Sequence, residues 1–258
     1  MAAIILGSAL PAMGQDKLGF GDNVSVRVTR GGEQYCGRPV GSYNVIDGTA
    51  GNDVLNGTDK DDLIRGFEGN DKIRGGAGND CILGGGGDDT IFGQAGDDVP
   101  YGGTGNDRIS GRDGNDSIYG EAGSDWVWGG KGNDAIDGGA NNDRVYAGAD
   151  NDTVSGGTGS DILVGGPGND VINGNQGNDS IAGREGNDRL AGDIGNDRLH
   201  GGAGDDALDG GDGQDDACYD KTGSSNNNNN TMAMVNCEKQ GAIKEEPEVA
   251  EPNEITGQ

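Results

Sequence analysis

Leucine, isoleucine, valine and phenylalanine together supply roughly 17% of the chain, below the ~20% under which a highly charged sequence rarely folds. An ordinary globular core is thereby excluded. Basic residues are scarce as well. There are 18 lysines and arginines against 45 acidic residues, a net charge of −27 over 258 residues. A chain this acidic repels DNA and RNA and acidic membrane surfaces, and small cations are its natural partners. No apolar run reaches the ~18 residues of a spanning helix. His200 is the only histidine, which removes most nucleophile–His and His–metal chemistries. The four cysteines contain no CxxC pair, which argues against zinc. Neither GxSxG nor HExxH occurs.

What the chain has in abundance is glycine, 56 residues, and a repeat. From residue 48 to residue 218 the sequence divides into 19 units of nine with no insertion or deletion; Gly75-Gly76-Ala77-Gly78-Asn79-Asp80-Cys81-Ile82-Leu83 is typical. Position six is aspartate throughout: Asp53, Asp62, Asp71, Asp80, Asp89, Asp98, Asp107, Asp116, Asp125, Asp134, Asp143, Asp152, Asp161, Asp170, Asp179, Asp188, Asp197, Asp206 and Asp215. Position one is glycine except at Ala147, and position four is glycine except at Lys60, Asn141 and Asp150. Position eight is Leu, Ile or Val except at Pro100 and Ala217.

Six residues rich in Gly, Asn and Asp form a tight turn, because they tolerate positive φ. Three residues with an apolar centre form one short strand. Two units make a coil of 18 residues with a strand on each side. The stack is all-β: a right-handed parallel β-solenoid of about nine and a half coils. Position eight points inward, and positions seven and nine point outward. The resulting core is one side chain thick. It cannot by itself offset the ordering of so many glycines, and the stacked carboxylates repel one another. Cations between the turns would remove both difficulties.

The pattern resembles the repeats-in-toxin calcium-binding family, whose nonapeptide is GGxGxDxUx with U apolar. The resemblance covers about two-thirds of the chain and implies a β-roll with calcium between turn n and turn n+2. It implies that the first turn supplies the carbonyls of positions two and four and the aspartate at six. The later turn supplies the carbonyls of positions one and three and its own aspartate. Carried onto one pair, Phe67, Gly69 and Asp71 face Gly84, Gly86 and Asp89. The 19 turns offer 17 such pairings. Calcium, with six to eight oxygen ligands, suits this donor set better than magnesium. Weaker sites are expected around units 2, 11 and 12, and a local defect at unit 6, where Pro100 lacks an N–H.

Outside the repeats, residues 1–14 resemble the apolar part of a secretory signal, with Ala12 and Gly14 at the −3 and −1 positions. Residues 15–47 are expected to cap the first coil and include a strand at Val24-Ser25-Val26-Arg27-Val28. Residues 219–240 read as a capping loop with the run Asn226 to Asn230, and 241–258 as a disordered acidic tail. Cys36, Cys81, Cys218 and Cys237 allow three pairings. Proximity favours 36–81 and 218–237, each stapling an end, in an oxidising compartment.

Trp126 and Trp128 flank Val127 and point outward. Arg144 and Tyr146 hold the same positions one coil on. The patch could stack on sugars or dock proteins, or it could be drift with cross-strand packing. The leading expectation is a secreted, non-enzymatic, monomeric calcium-binding roll serving as a structural, surface or adhesion module. The alternative is an accessory or recognition module, for glycan or ice, of an extracellular enzyme or adhesin.

Overall fold

The computed structural model describes residues 34–213, 216–219, 233–235, 237 and 239–240. They form two parallel 11-stranded sheets that share the chain strand by strand. Lys72–Ala77 belongs to one sheet, Cys81–Gly86 to the other, Thr90–Ala95 to the first again. Through the repeats each strand pairs with the strand one coil away, in a register shift of 18 residues that becomes 19 only at the last coil. Ile73 lies beside Ile91, and Ile91 beside Ile109. No α-helix occurs among the described residues, and none is long and apolar enough to cross a membrane.

The core is a single column. Ile64, Ile73, Ile82, Ile91, Ile109 and their successors to Leu208 and Cys218 stack between the sheets, one from nearly every unit. This follows from position eight being the only regularly apolar place in nine. Most strands are six residues long rather than three. They run on through positions one to three of the next turn, so that Gly76 pairs with Gln94 and Ala77 with Ala95. Position nine is also less open than expected. Leu83, Phe92, Val164 and His200 are all buried there, Leu83 beside Tyr35 and Phe92 under the guanidinium groups of Arg74 and Arg112.

The last unit departs from the nine-residue count. Cys218, not Ala217, pairs with Leu199 and joins the core column. The unit holds one residue more than the others, because the tandem Asp215-Asp216 lets the second aspartate take the ladder position. The coil also extends beyond the repeats at both ends. Asn44–Asp47 pairs with Asp62–Glu68 ahead of the first unit. Ala233–Val235 and Lys239–Gln240 continue the two sheets after the last. The expected C-terminal loop therefore contains two solenoid strands. The expected strand at Val24–Val28 lies outside the described residues, as do residues 1–14, the run Asn226 to Asn230 and the tail.

The described part of the N-terminal segment is a small antiparallel hairpin, Gln34–Tyr35 with Arg38–Pro39. It lies on the outer face of one sheet, where Tyr35 packs on Leu63, Cys81 and Leu83. Disulfides join Cys36 to Cys81 and Cys218 to Cys237. The first ties the hairpin to an early coil, and the second ties the last coil to the segment that follows it.

Candidate metal centre

The position-six aspartates form two columns, one on each side of the roll. In one, the backbone N–H of Asp53 donates to Asp71 Oδ1 at 2.8 Å, and Asp71 donates in turn to Asp89 Oδ1 at 2.7 Å. The chain of bonds continues through Asp107, Asp125, Asp143, Asp161, Asp179 and Asp197. In the other it runs from Asp62 through Asp80, Asp98, Asp116, Asp134, Asp152, Asp170, Asp188 and Asp206. Asp215 lies outside the described residues. Asp197 donates instead to Asp216 Oδ1 at 2.9 Å, 19 residues on.

From Asp62 to Asp206 these carboxylates are at most 3% exposed. Oδ1 of each has its N–H donor. Oδ2, from Asp71 to Asp197, is buried without a hydrogen-bond partner. A buried carboxylate oxygen left in this state is costly unless a cation meets it. Burial pushes the carboxyl groups up from 3.8 to about 7 at Asp89 and Asp107 and to about 8 at Asp98, with neighbouring aspartates adding to the rise and the N–H bond opposing it.

Main-chain oxygens gather at the same interface. The carbonyls of Phe67 and Gly69 point at Gly85 and Gly87 of the next turn, so closely that a Cβ on either glycine would collide with them. Position one is confined too. A Cβ on Gly48 would stand 2.9 Å from Asp53 Oδ2 and 2.8 Å from the carbonyl oxygen of Gly66. The carbonyl of Gly86 accepts the N–H of Gly69 at 2.7 Å, which leaves it one lone pair. Among the described residues no three Asp, Glu, His or Cys side chains converge as a metal cluster. Carboxylate and main-chain carbonyl oxygens are the donors gathered between these turns. That all-oxygen, flexible set suits calcium.

Three features escaped sequence reasoning. The first is a second ladder at position five, running the opposite way. Asn70 N–H donates to Asn52 Oδ1, and Asp88 N–H to Asn70 Oδ1. Its signal was the Asn, Asp or Ser at position five of every unit but the last, where Gln214 stands, each with a short side chain that ends in an acceptor oxygen. The second is Thr49 and Thr58 at position two of the first two turns. Thr49 donates its N–H to Asp53 Oδ2 at 2.6 Å, and Thr58 does so to Asp62 Oδ2 at 2.6 Å. These two turns thus close on themselves. The third is Asp216.

The irregular units behave unequally. Asn141 and Asp150 take φ of 81° and 82°, the left-handed conformation of glycine at position four. The Asp134–Asp152 and Asp143–Asp161 bonds stay at 2.8 Å beside them. At Pro100 the pairing with Ser117–Ala122 begins only at Tyr101, while Pro100 still lies beside Ile82. This is the expected missing ladder bond.

A family model described as the RTX calcium-binding nonapeptide repeat (4 copies) matches residues 47–82, 82–99, 101–136, 123–154, 155–190 and 182–217. No curated protein matches the chain.

Proposed function

The chain belongs to the RTX calcium-binding nonapeptide-repeat family, and from that premise we propose that it is a secreted, non-enzymatic module whose roll is set by calcium held between its turns. The coarser part, a calcium-binding β-roll, follows from family and fold together. The finer part concerns sites, number and role. Phe67, Gly69 and Asp71 would hold one ion with Gly84, Gly86 and Asp89, and the same set recurs along both columns for up to 17 ions. Bound calcium would supply the positive charge and coordination that the buried Oδ2 atoms lack. The protein's own part is to hold each carboxylate by its N–H bond and to keep position one free of a side chain.

The single observation behind this reading is the column of buried, unpartnered Oδ2 atoms repeated every coil. Two disulfides support an oxidising compartment. External calcium would complete the fold there, and the finished rod would serve as a surface or matrix element. In this reading the aspartates are ligands, not acids or bases for catalysis.

Circular dichroism with calcium and with chelator tests it. A disorder-to-sheet transition on adding calcium is the expected result. Unchanged sheet content in chelator would remove the proposal.

A further inference from the structure

The strand charges are not shared evenly between the two sheets. Strands Val54–Asn56 to Ala217–Tyr219 of the sheet that contains Trp126–Lys131 carry eight lysines and arginines against two acids, Asp113 and Glu185. Strands of the opposite sheet carry two arginines, Arg65 and Arg189, against five acids besides the buried ladder residue Asp62. On a chain of net charge −27, one broad side is therefore cationic.

The same side holds both tryptophans, in register with its cations. Arg108 lies beside Trp126, and Trp126 beside Arg144; one row over, Ser110, Trp128 and Tyr146 stand side by side. Arg144 sits 5.1 Å over the Trp126 ring, and Arg112 sits 5.0 Å over Phe92. Trp126 is exposed, and so are Arg108, Arg112 and Arg144. Successive rungs lie ~4.8 Å apart, so Arg108, Trp126 and Arg144 follow one another at that spacing along one row. Aromatic faces stack on apolar sugar faces, guanidinium groups pair with carboxylate or sulfate, and the rest of the surface repels anions.

We propose that this face docks an anionic polysaccharide, its sugar rings on Trp126, Trp128 and Tyr146 and its carboxylate or sulfate groups on Arg108, Arg112 and Arg144. The inference rests on the calcium reading in one respect: the rungs are in line only when the coils are stacked.

The test uses the full chain in calcium, with binding measured to hyaluronan (carboxylate) and dextran sulfate (sulfate). Neutral dextran and inorganic polyphosphate serve as controls. Binding to at least one charged glycan is expected, and which one binds identifies the anion. Trp126→Ala/Trp128→Ala keeps the charges, and Arg108→Gln/Arg144→Gln keeps the rings. Each should weaken binding by about tenfold or more, the scale of ~1.4 kcal/mol, while Arg189→Gln on the opposite sheet leaves it unchanged.

The proposal is overturned if the calcium-loaded protein, with its sheet content verified by circular dichroism, binds neither glycan. It is equally overturned if the tryptophan variant binds as tightly as the parent, or if polyphosphate competes as well as the glycan, since charge alone would then account for binding. Sheet content that ignores calcium would remove the calcium reading only, and the glycan result would still be decided by the two double variants.

Discussion

Thr58 meets Asp62 Oδ2 twice, through its backbone N–H at 2.6 Å and its hydroxyl at 3.0 Å. Thr49 and Asp53 repeat the pairing at 2.6 and 2.9 Å. Hydrogen bonds thus fill, in the first coil, the place that later coils leave to a buried lone pair. Replacing Thr58 by Val should cost about 1 kcal/mol, by the same amount at any calcium concentration that folds the chain. Asp89→Asn should cost more as calcium rises. Urea denaturation at two calcium concentrations separates the two, and a Thr58 penalty that grew with calcium would refute the assignment.

Asp107 stands between two turns of its own column. Its Oδ1 accepts from Asp89, and its N–H donates to Asp125. Under the proposed ligand scheme it serves the ion above and the ion below. Asp107→Asn keeps an acceptor oxygen but loses the charge, so calcium titration should register two sites weakened, not one. A loss of a single site would mean that neighbouring turns do not share carboxylates.

Acid should substitute in part for calcium. Burial raises Asp89 and Asp107 from 3.8 to about 7 and Asp98 to about 8 in the fold. Below 3.8 these groups are neutral in both the folded and unfolded chain, and the fold carries no penalty from them. As pH rises from 3.8 towards 7 the unfolded chain gives up these protons while the buried carboxyls keep theirs, so stability falls across that window and the loss is complete once pH passes about 7 to 8. In chelator the sheet signal should therefore appear on acidification from pH 8 towards pH 4. A calcium-free chain equally disordered at both pH values would contradict this.

The bond between Cys218 and Cys237 closes a loop across a separation of 19 residues, a length for which loop-closure entropy is worth about 3 kcal/mol. It holds the short strands Ala233–Val235 and Lys239–Gln240 on the sheets. In Cys218→Ser/Cys237→Ser, hydrogen exchange in calcium should rise across Ala233–Val235 and leave the central strands as they were. Loss of protection along the whole roll would show that the C-terminal strands support all of it.

The period of nine made the fold legible, because aspartate at one phase and an apolar residue two places on leave few ways to wind the chain. Ile82 and Asp80 are where that pattern puts them. The flanks were not legible, because their contacts are not periodic. Tyr35 packs on Leu63 and Leu83 across the sheet's outside, a pairing with no spacing rule behind it. Asp215 looked like the last rung because the count of nine reached it. Asp216 takes the place, and with the added residue Cys218 rather than Ala217 lies beside Leu199 in the core column, an offset that a strict count of nine does not contain. The position-five ladder is hidden for another reason: Asn, Asp and Ser there suit a turn equally well, so composition does not separate the two roles.

The strict 18-residue register also limits how such a chain can change length. Duplicating or deleting one full coil would leave every downstream side chain on its own sheet, and the rod would simply become longer or shorter by one step. Duplicating a single nonapeptide would transpose everything after it. If one entered between Arg108 and Trp126, the two residues would face opposite ways, and the cationic side would be split. Length is thus free to drift in whole coils, whereas the identity of each side is fixed by parity.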